Sequence, residues 1–332
     1  MKIVVDAFGG DNAPLEIIKG AALAHKEYGV DIILTGDTKA IEKCMTDNGI
    51  SSEGITIEHA PDVISMHDEP TSILKQKNNS SMAVAFKVLT ENRADAFVSA
   101  GSTGAIVVGG TLIVKRIKGI KRPALASMIP SKDNPFLMLD IGANADCRPE
   151  MLAQFGVMAH AYLTGVEGVE NPKIALLNIG TEDTKGDELR KQTYELLSKK
   201  PINFVGNIES RELCSGTVDA VVADGFTGNI ALKLIEGVAS TMFSLLKRVF
   251  YKNIITKIST LALKKGLYSI KSKMDYTEVG GALLLGVQKP VIKAHGSSNA
   301  KAIKNAIHQA MTFAERGIVS QISDLIKGED NE

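Results

Sequence analysis

The sequence predicts an α/β fold built on a mostly parallel sheet with helices on both faces. Three observations carry this expectation. Short β-rich runs alternate with stretches of helical periodicity along the whole chain, and such alternation builds βαβ units. Apolar residues make up 44% of the 332 residues, enough for a packed core of this class. Five strand runs close on a small polar or acidic residue and pass through glycine into a helix, the junction at which open α/β sheets bind ligands.

Taken in order, the strand Lys2–Asp6 leads to a helical stretch at Pro14–Tyr28. Strands at Asp31–Thr35 and Ile55–Glu58 precede helix Ser80–Asn92. Asp95–Ser99 is followed by helix Thr103–Ile117, Phe136–Asp140 by Pro149–Leu163, and Lys173–Asn178 by Asp187–Lys199. Ile202–Val205 and Asp219–Ala223 precede helix Asn229–Phe250, and Val291–Ala294 precedes Ser298–Lys327. No repeat of fixed period and no obvious linker interrupts this, so 1–332 reads as a single α/β domain. The polar tail KGEDNE is expected to fray.

Composition narrows the function. Lys plus Arg and Asp plus Glu both number 38, and this balance argues against a general nucleic-acid binder. Trp is absent and aromatics are few, so stacking on bases is disfavoured. Cys44, Cys147 and Cys214 cannot all pair and show no metal spacing, which fits a reducing cytoplasm. Asp6 interrupts any apolar core of a signal peptide. The run Ala105–Val114 reaches about half a membrane span. The expectation is a protein that is soluble or lies on a membrane surface.

The five junctions are VVDAFGGDNAP, FVSAGSTGA, LMLDIGANAD, LLNIGTEDTKG and VVADGFTGN, closing on Asp6, Ser99, Asp140, Asn178 and Asp224. In an open parallel sheet they would share one carboxyl edge. Glycine lets backbone N–H groups approach a ligand closely, and helix N-termini favour anions. Neither the Gly-Lys-Ser/Thr of a P-loop nor a strand-borne G-x-G-x-x-G is present. The pattern therefore points to a small oxyanion rather than a nucleotide.

Lys75 and Lys77 before the Ser80 cap, Lys185 past a strand end, and His295 before a glycine and a serine cap could supply positive charge. Lys75 and Lys77 read equally well as a solvated loop, and Ser99 and Ser102 as helix caps. Cys147 has no histidine near it in sequence and reads as an inert thiol.

One stretch stands apart from the neutral chain. Tyr251–Met274 holds six lysines, and no acid occurs from Gly237 to Met274. Ile254, Ile255, Ile258, Leu261 and Ala262 share one helical face; Gly266 breaks the pattern; Leu267, Ile270 and Met274 resume it. An amphipathic helical hairpin at about 250–274 is expected, with Ile254, Ile255, Ile258, Leu261 and Leu267 entering an anionic membrane surface. Dimer packing is the alternative use of the same face.

The motifs VDAFGGDNAP, DEPTSILKQKNNSSM, SAGSTGA, RPALA, DIGANAD, NIGTEDTKGDEL, DGFTGNIALK, GGALLLG and IKAHGSSN, in this order over nearly the whole chain, resemble those of the bacterial phosphate acyltransferase family. These enzymes transfer a fatty acyl group from acyl carrier protein to inorganic phosphate at the entry to phospholipid synthesis. The family commonly has Met, His and Asn where this chain has Phe8, Asn12 and Ser102. The resemblance implies a three-layer α/β/α fold of the isocitrate/isopropylmalate dehydrogenase-like (Rossmann-like) group, similar also to phosphotransacetylases. It implies a homodimer without organic cofactor or metal, cytoplasmic and peripherally associated with the membrane. Its partners would be acylated acyl carrier protein, for which the basic hairpin is a second dock, and the membrane glycerol-3-phosphate acyltransferase.

Together the residues and the resemblance nominate Lys185, Asp224 and His295 as catalytic. They nominate Asp6, Asp11, Lys75, Ser81, Ser102, Thr103, Asp140, Asn144, Thr227 and Asn229 as substrate-binding. Two other functions remain open on the sequence. One is a metal-dependent hydroxyacid dehydrogenase with Mg²⁺ on Asp6, Asp140 and Asp224. The other is a non-catalytic acyl-chain carrier.

Overall fold

In the computed structural model, residues 1–253, 256, 260, 263, 266 and 280–329 are described. The first half runs β1 (Lys2–Asp6), α1 (Leu15–Tyr28), β2 (Asp31–Gly36), α2 (Thr38–Asp47), β3 (Ile55–His59), a 3₁₀ turn (Pro70–Leu74), α3 (Ser81–Thr90), β4 (Ala96–Ser99) and α4 (Thr103–Gly109). α4 continues as a π-helical segment, Gly110–Lys115. Then come β5 (Ala124–Ile129), β6 (Phe136–Leu139), α5 (Pro149–Gly165), β7 (Ile174–Asn178), α6 (Glu188–Leu197), β8 (Phe204–Glu209), β9 (Ala220–Val222) and α7 (Gly225–Phe250). β10 (Gly281–Leu285), β11 (Val291–Ala294), α8 (Ala300–Glu315) and α9 (Ile318–Glu329) complete the order.

All eleven strands form one sheet, ordered β3-β2-β1-β4-β11-β10-β5-β6-β9-β7-β8. Apolar side chains pack on both its faces. α1, α5, α8 and α9 cover one face. α3 and α4 cover the other, and the inner side of α7 packs on the same core through Leu232 and Ile235, over β5 and β6. The three-layer, mostly parallel α/β fold is the expected one. Phe86 of α3 stacks on Phe97 of β4 with ring centroids 4.2 Å apart, and each such buried ring contributes about 2–3 kcal/mol.

The parallel pairing is interrupted. β10 is antiparallel to both β11 and β5, and β5 is antiparallel to β6. Pairing is parallel from β6 through β9 and β7 to β8. Thus β1–β5 and β11 run one way, and β6–β10 run the other. The sheet consequently has two carboxyl edges, separated along a four-residue strand by about 13 Å. This corrects the expectation of a single ligand edge. Asp6 and Ser99 end strands on one edge; Asn178 ends a strand, and Asp140 and Asp224 follow strands, on the other.

β5 and β10, the strands that reverse the sheet, were not legible as strands. Their sequences, ALASMI and GALLL, are dominated by Ala and Leu, which favour helix when read locally. Tertiary pairing decides their conformation. α7 begins at Gly225, four residues earlier than expected, because Asp224 caps it by accepting from Thr227 N; such a cap contributes about 1 kcal/mol. The expected long last helix is divided at Gly317, whose φ of 62° is left-handed.

The outer face of α7 is uncovered. Phe226, Ile230, Leu234, Val238, Met242, Leu245 and Val249 recur every three or four residues and are all exposed, Leu234 to 64%. Among the described residues, α7 is the one helix long and apolar enough to cross a membrane by length and composition. Ile254, Ile255, Ile258, Leu261 and Leu267 lie outside the described residues.

Candidate active site

On the first edge three loops meet. Asp6, at the end of β1, is fully buried and accepts from Ser99 Oγ at 2.7 Å and from Phe8 N at 3.2 Å. Burial pushes its carboxyl above the usual carboxylate range, and hydrogen bonds from Ser81 and Ser99 pull it partly back. Ser99 Oγ in turn accepts from Gly101 N at 3.0 Å. A Cβ on Gly9 would fall 2.6 Å from Asp6 Oδ2 and 2.7 Å from Gly101 N, so the first two loops touch backbone to backbone. Asp11 N donates to Gly296 O at 2.8 Å, and Asn12 Nδ2 to Ser297 O at 3.1 Å. These bonds fasten the third loop, which leaves β11. Asp6 and Ser81 are thus the frame behind the loops.

A cleft of about 1280 Å³ opens in front of them. Its polar end is lined by Asp11, Ser102, Thr103, Lys293 and His295, and its apolar walls include Ile64, Met66, Met128, Leu232, Ile235 and Phe243. Ser102 caps α4, its Oγ accepting from Ala105 N at 3.5 Å. His295 Nδ1 lies 2.8 Å from Ser297 Oγ at the exposed rim.

The sequence does not single out Lys293 as it does His295 two residues on. Lys293 sits on β11 paired with Ser99 of β4 on one side and Ala282 of β10 on the other. Ser127 follows in register on β5 and also lines the cleft. Flanked by small residues, Lys293 projects from the sheet into the cleft, and its Nζ donates to Ala294 O. Burial lowers its pKa to about 8, and the charge of Asp11 opposes this. A charge inside the four-residue strand VIKA, otherwise buried, was the available signal.

The second edge carries a separate polar cluster. Asp140 is buried and accepts five hydrogen bonds. Leu125 N, Gly142 N and Ala143 N reach Oδ1 at 2.9–3.1 Å; Asn144 N and Nδ2 reach Oδ2 at 2.8 Å. Burial still pushes its carboxyl upward. Asn144 O accepts from Gly225 N at 2.7 Å, and its Nδ2 donates to Pro123 O at 2.7 Å. Asp224 accepts from Thr227 N at 2.9 Å and Thr227 Oγ1 at 2.8 Å, and pairs with Arg190. Arg190 also bonds Asp187 Oδ2 at 2.9 Å and Thr227 Oγ1 at 3.0 Å. Asn178 Nδ2 donates to Lys185 O at 3.1 Å, while the Lys185 side chain is exposed.

The cleft therefore collects Asp11, Ser102, Thr103, Asn229 and His295 from the nominated residues, and adds Lys293. Asp140, Asn144, Lys185, Asp224 and Thr227 stand on the other edge, meeting the cleft through Gly142 and Asn229. Lys75 is exposed just beyond the 3₁₀ turn and lines no part of it. The Mg²⁺ set Asp6–Asp140–Asp224 is divided between the two edges, so it does not converge. Among the described residues no other group of three His, Cys, Asp or Glu is placed to hold a metal.

Cys147 is half-buried, and its Sγ faces Asn144 O at 3.5 Å. Burial, then the nearby Asp140 charge, pushes its thiol up to about 11. A thiol held neutral is a poor nucleophile. Cys147→Ser is expected to keep wild-type turnover within about threefold; an acylated Cys147 in the mass spectrum would contradict this.

The family model described as fatty acid synthesis protein matches residues 1–321. The chain is 48% identical over 324 residues to a phosphate acyltransferase of Alkaliphilus oremlandii, covering 98% of this chain and 97% of that one. It is 47% identical over 327 residues to a phosphate acyltransferase of Clostridioides difficile, covering 98% and 96%. Among solved structures, a phosphotransacetylase from Streptococcus pyogenes matches with TM-score 0.62 at 18% identity, covering 98% of this chain and 94% of that one. One from Staphylococcus aureus matches with TM-score 0.64 at 16% identity, covering 95% and 94%. At these identities the solved structures speak to the fold alone.

Proposed function

The chain belongs to the phosphate acyltransferase family, and from that premise we propose that it moves a long-chain fatty acyl group from acyl carrier protein to inorganic phosphate. The product, an acyl phosphate, would feed phospholipid synthesis. One observation supports the finer reading most: a single cleft joins a polar end, at Asp11, Ser102, Thr103 and His295, to a long apolar wall on α7. From Asn229 to Phe243 that wall spans about 21 Å of helix, against about 15 Å for one leaflet's hydrocarbon. A cleft serving acetyl transfer alone would need no such wall.

In this reading a phosphate oxygen attacks the thioester carbonyl. A C–O bond forms, the C–S bond breaks, and the departing thiolate takes up a proton. Phosphate is anionic at neutral pH, so no strong base is required. The first turn of α4 offers N–H groups without intrahelical partners, suited to the charge that develops on the carbonyl oxygen. The test is incubation with palmitoyl-acyl carrier protein and labelled phosphate, with hydroxylamine trapping. Phosphate-dependent hydroxamate is expected; hydrolysis alone, or no product, would remove the reading.

A homodimer and a peripheral membrane position belong to the same proposal. The uncovered stripe of α7 supports burial against a second copy, and sedimentation equilibrium showing only monomer would remove that part. α7 leads directly into the acid-free basic stretch, where each lysine near an anionic surface contributes on the order of 1 kcal/mol. The double variant Ile258→Glu, Leu261→Glu is expected to stop floating with anionic liposomes while keeping activity on soluble substrates. Continued flotation would dismiss the stretch as the anchor. A monomeric, inactive variant would assign it to packing.

A further inference from the structure

We propose that Lys293 is the residue that holds the attacking phosphate in the cleft. The proposal rests on the acyl-transfer reading and adds to it the cation that the sequence motifs left unassigned.

The argument starts from position. Lys293 sits on β11 in the interior of the sheet, paired on both sides, so its Cα is fixed by two ladders rather than by a loop. Its neighbours in the row are Ser99 and Ala282, with Ser127 next. None of them is large enough to fill the space around a lysine stem. The side chain is consequently half-buried and faces the cleft, whose lining also includes Ser102 and Thr103 at the start of α4.

A half-buried ammonium in a cleft loses part of its hydration, and this is costly unless it is compensated. Its Nζ donates to the backbone carbonyl of Ala294, and the charge of Asp11 lies nearby. An anion delivered into the polar end of the cleft compensates it directly, through charge-assisted hydrogen bonds.

The other charged groups facing the cleft are Asp11 on the loop after β1, His295 after β11, and Lys233 and Glu236 on α7. Lys233 is exposed and His295 lies at the rim, whereas Lys293 is half-buried on a strand paired on both sides. Its depressed pKa of about 8 gives the assignment a signature. Below that pH the side chain is charged and holds an anion. As pH rises through it the charge is lost, and so is the affinity for phosphate. The profile of kcat/KM for phosphate, which reports the free enzyme, is expected to fall above about pH 8. A guanidinium does not titrate in this range.

The experiment uses the full chain and inorganic phosphate. Calorimetry measures phosphate binding to wild type, Lys293→Met and Lys293→Arg, and initial rates are taken with palmitoyl-acyl carrier protein from pH 6 to 10. Lys293→Met is expected to lose about 10²-fold or more in kcat/KM for phosphate, with little change in KM for the acyl donor. Lys293→Arg is expected to retain part of the activity without the alkaline fall. Two outcomes overturn the proposal: wild type that binds no phosphate, or Lys293→Met that binds it as wild type does with the same pH profile. If phosphate binding depends on Lys293 but no acyl phosphate forms, the binding assignment stands and the transfer reading fails. Should Lys293→Met not fold, the alkaline limb of Lys293→Arg decides alone.

Discussion

Asp140→Ala is expected to destabilise the fold by more than about 4 kcal/mol, the largest single effect outside the cleft. The carboxylate takes five N–H donors at 2.8–3.1 Å from Leu125, Gly142, Ala143 and Asn144. Truncation would leave these donors unpaired in a buried site, and each buried orphan costs about 1–3 kcal/mol unless water replaces its partner. Asp140→Asn is milder. It keeps one acceptor oxygen but turns an NH₂ toward donors, for a loss of about 2 kcal/mol. The readout is the urea midpoint at unchanged slope. A loss below about 1 kcal/mol for the alanine variant would show that the five bonds are dispensable. The effect reaches the cleft through α7. Gly225 N is bonded to Asn144 O at 2.7 Å, and a Cβ on Gly228 would fall 1.9 Å from Asp140 O. The first turn of α7 is thus seated on the loop that Asp140 organises, so the cleft wall shifts when that loop does.

How much of this was legible in the sequence follows from what kind of signal each feature leaves. The α/β class rested on strand–helix alternation, a local signal, and it survived. The direction of the sheet was not legible, because it depends on β5 and β10, whose Ala- and Leu-rich runs carry no strand periodicity. Without that reversal, five similar junctions would share one edge. The loop residues Asp11, Ser102, Thr103 and His295, which line the cleft, were legible as candidates because glycine-flanked strand ends mark ligand loops. Lys293 lies within IKAHGSSN, yet its place in the cleft depends on which residues flank it across the sheet, and cross-strand register does not show in a linear pattern. The pairing of Arg190 with Asp224 is hidden for the same reason. Arg190 looks like an ordinary partner of the Asp187 cap three residues before it, while its second bond spans 34 residues. The glycine-flanked strand ends alone pointed to an oxyanion site; the acyl chain entered only through the resemblance, and the α7 wall lining the cleft is where the proposed function would put it.

That wall yields the second large effect. Leu232→Asp combined with Ile235→Asp places two carboxylates where the cleft is apolar. Each methylene of a bound chain contributes about 0.8 kcal/mol when buried. Displacing some four of them removes about 3 kcal/mol, equivalent to about 10²-fold in kcat/KM. The loss is expected for palmitoyl-acyl carrier protein. A butyryl donor, too short to use most of the wall, is expected to change by less than about tenfold. Both residues also pack against the core beneath α7, so a general loss of structure would lower both donors alike. Ala239→Phe separates the two causes. Ala239 lines the same wall, and an added ring there narrows the cleft without burying a charge. If the ring lowers palmitoyl transfer and spares butyryl transfer, the wall holds the chain. If palmitoyl and butyryl transfer fall together in every variant, or if neither falls, the acyl chain lies elsewhere and the apolar side of the cleft serves another purpose.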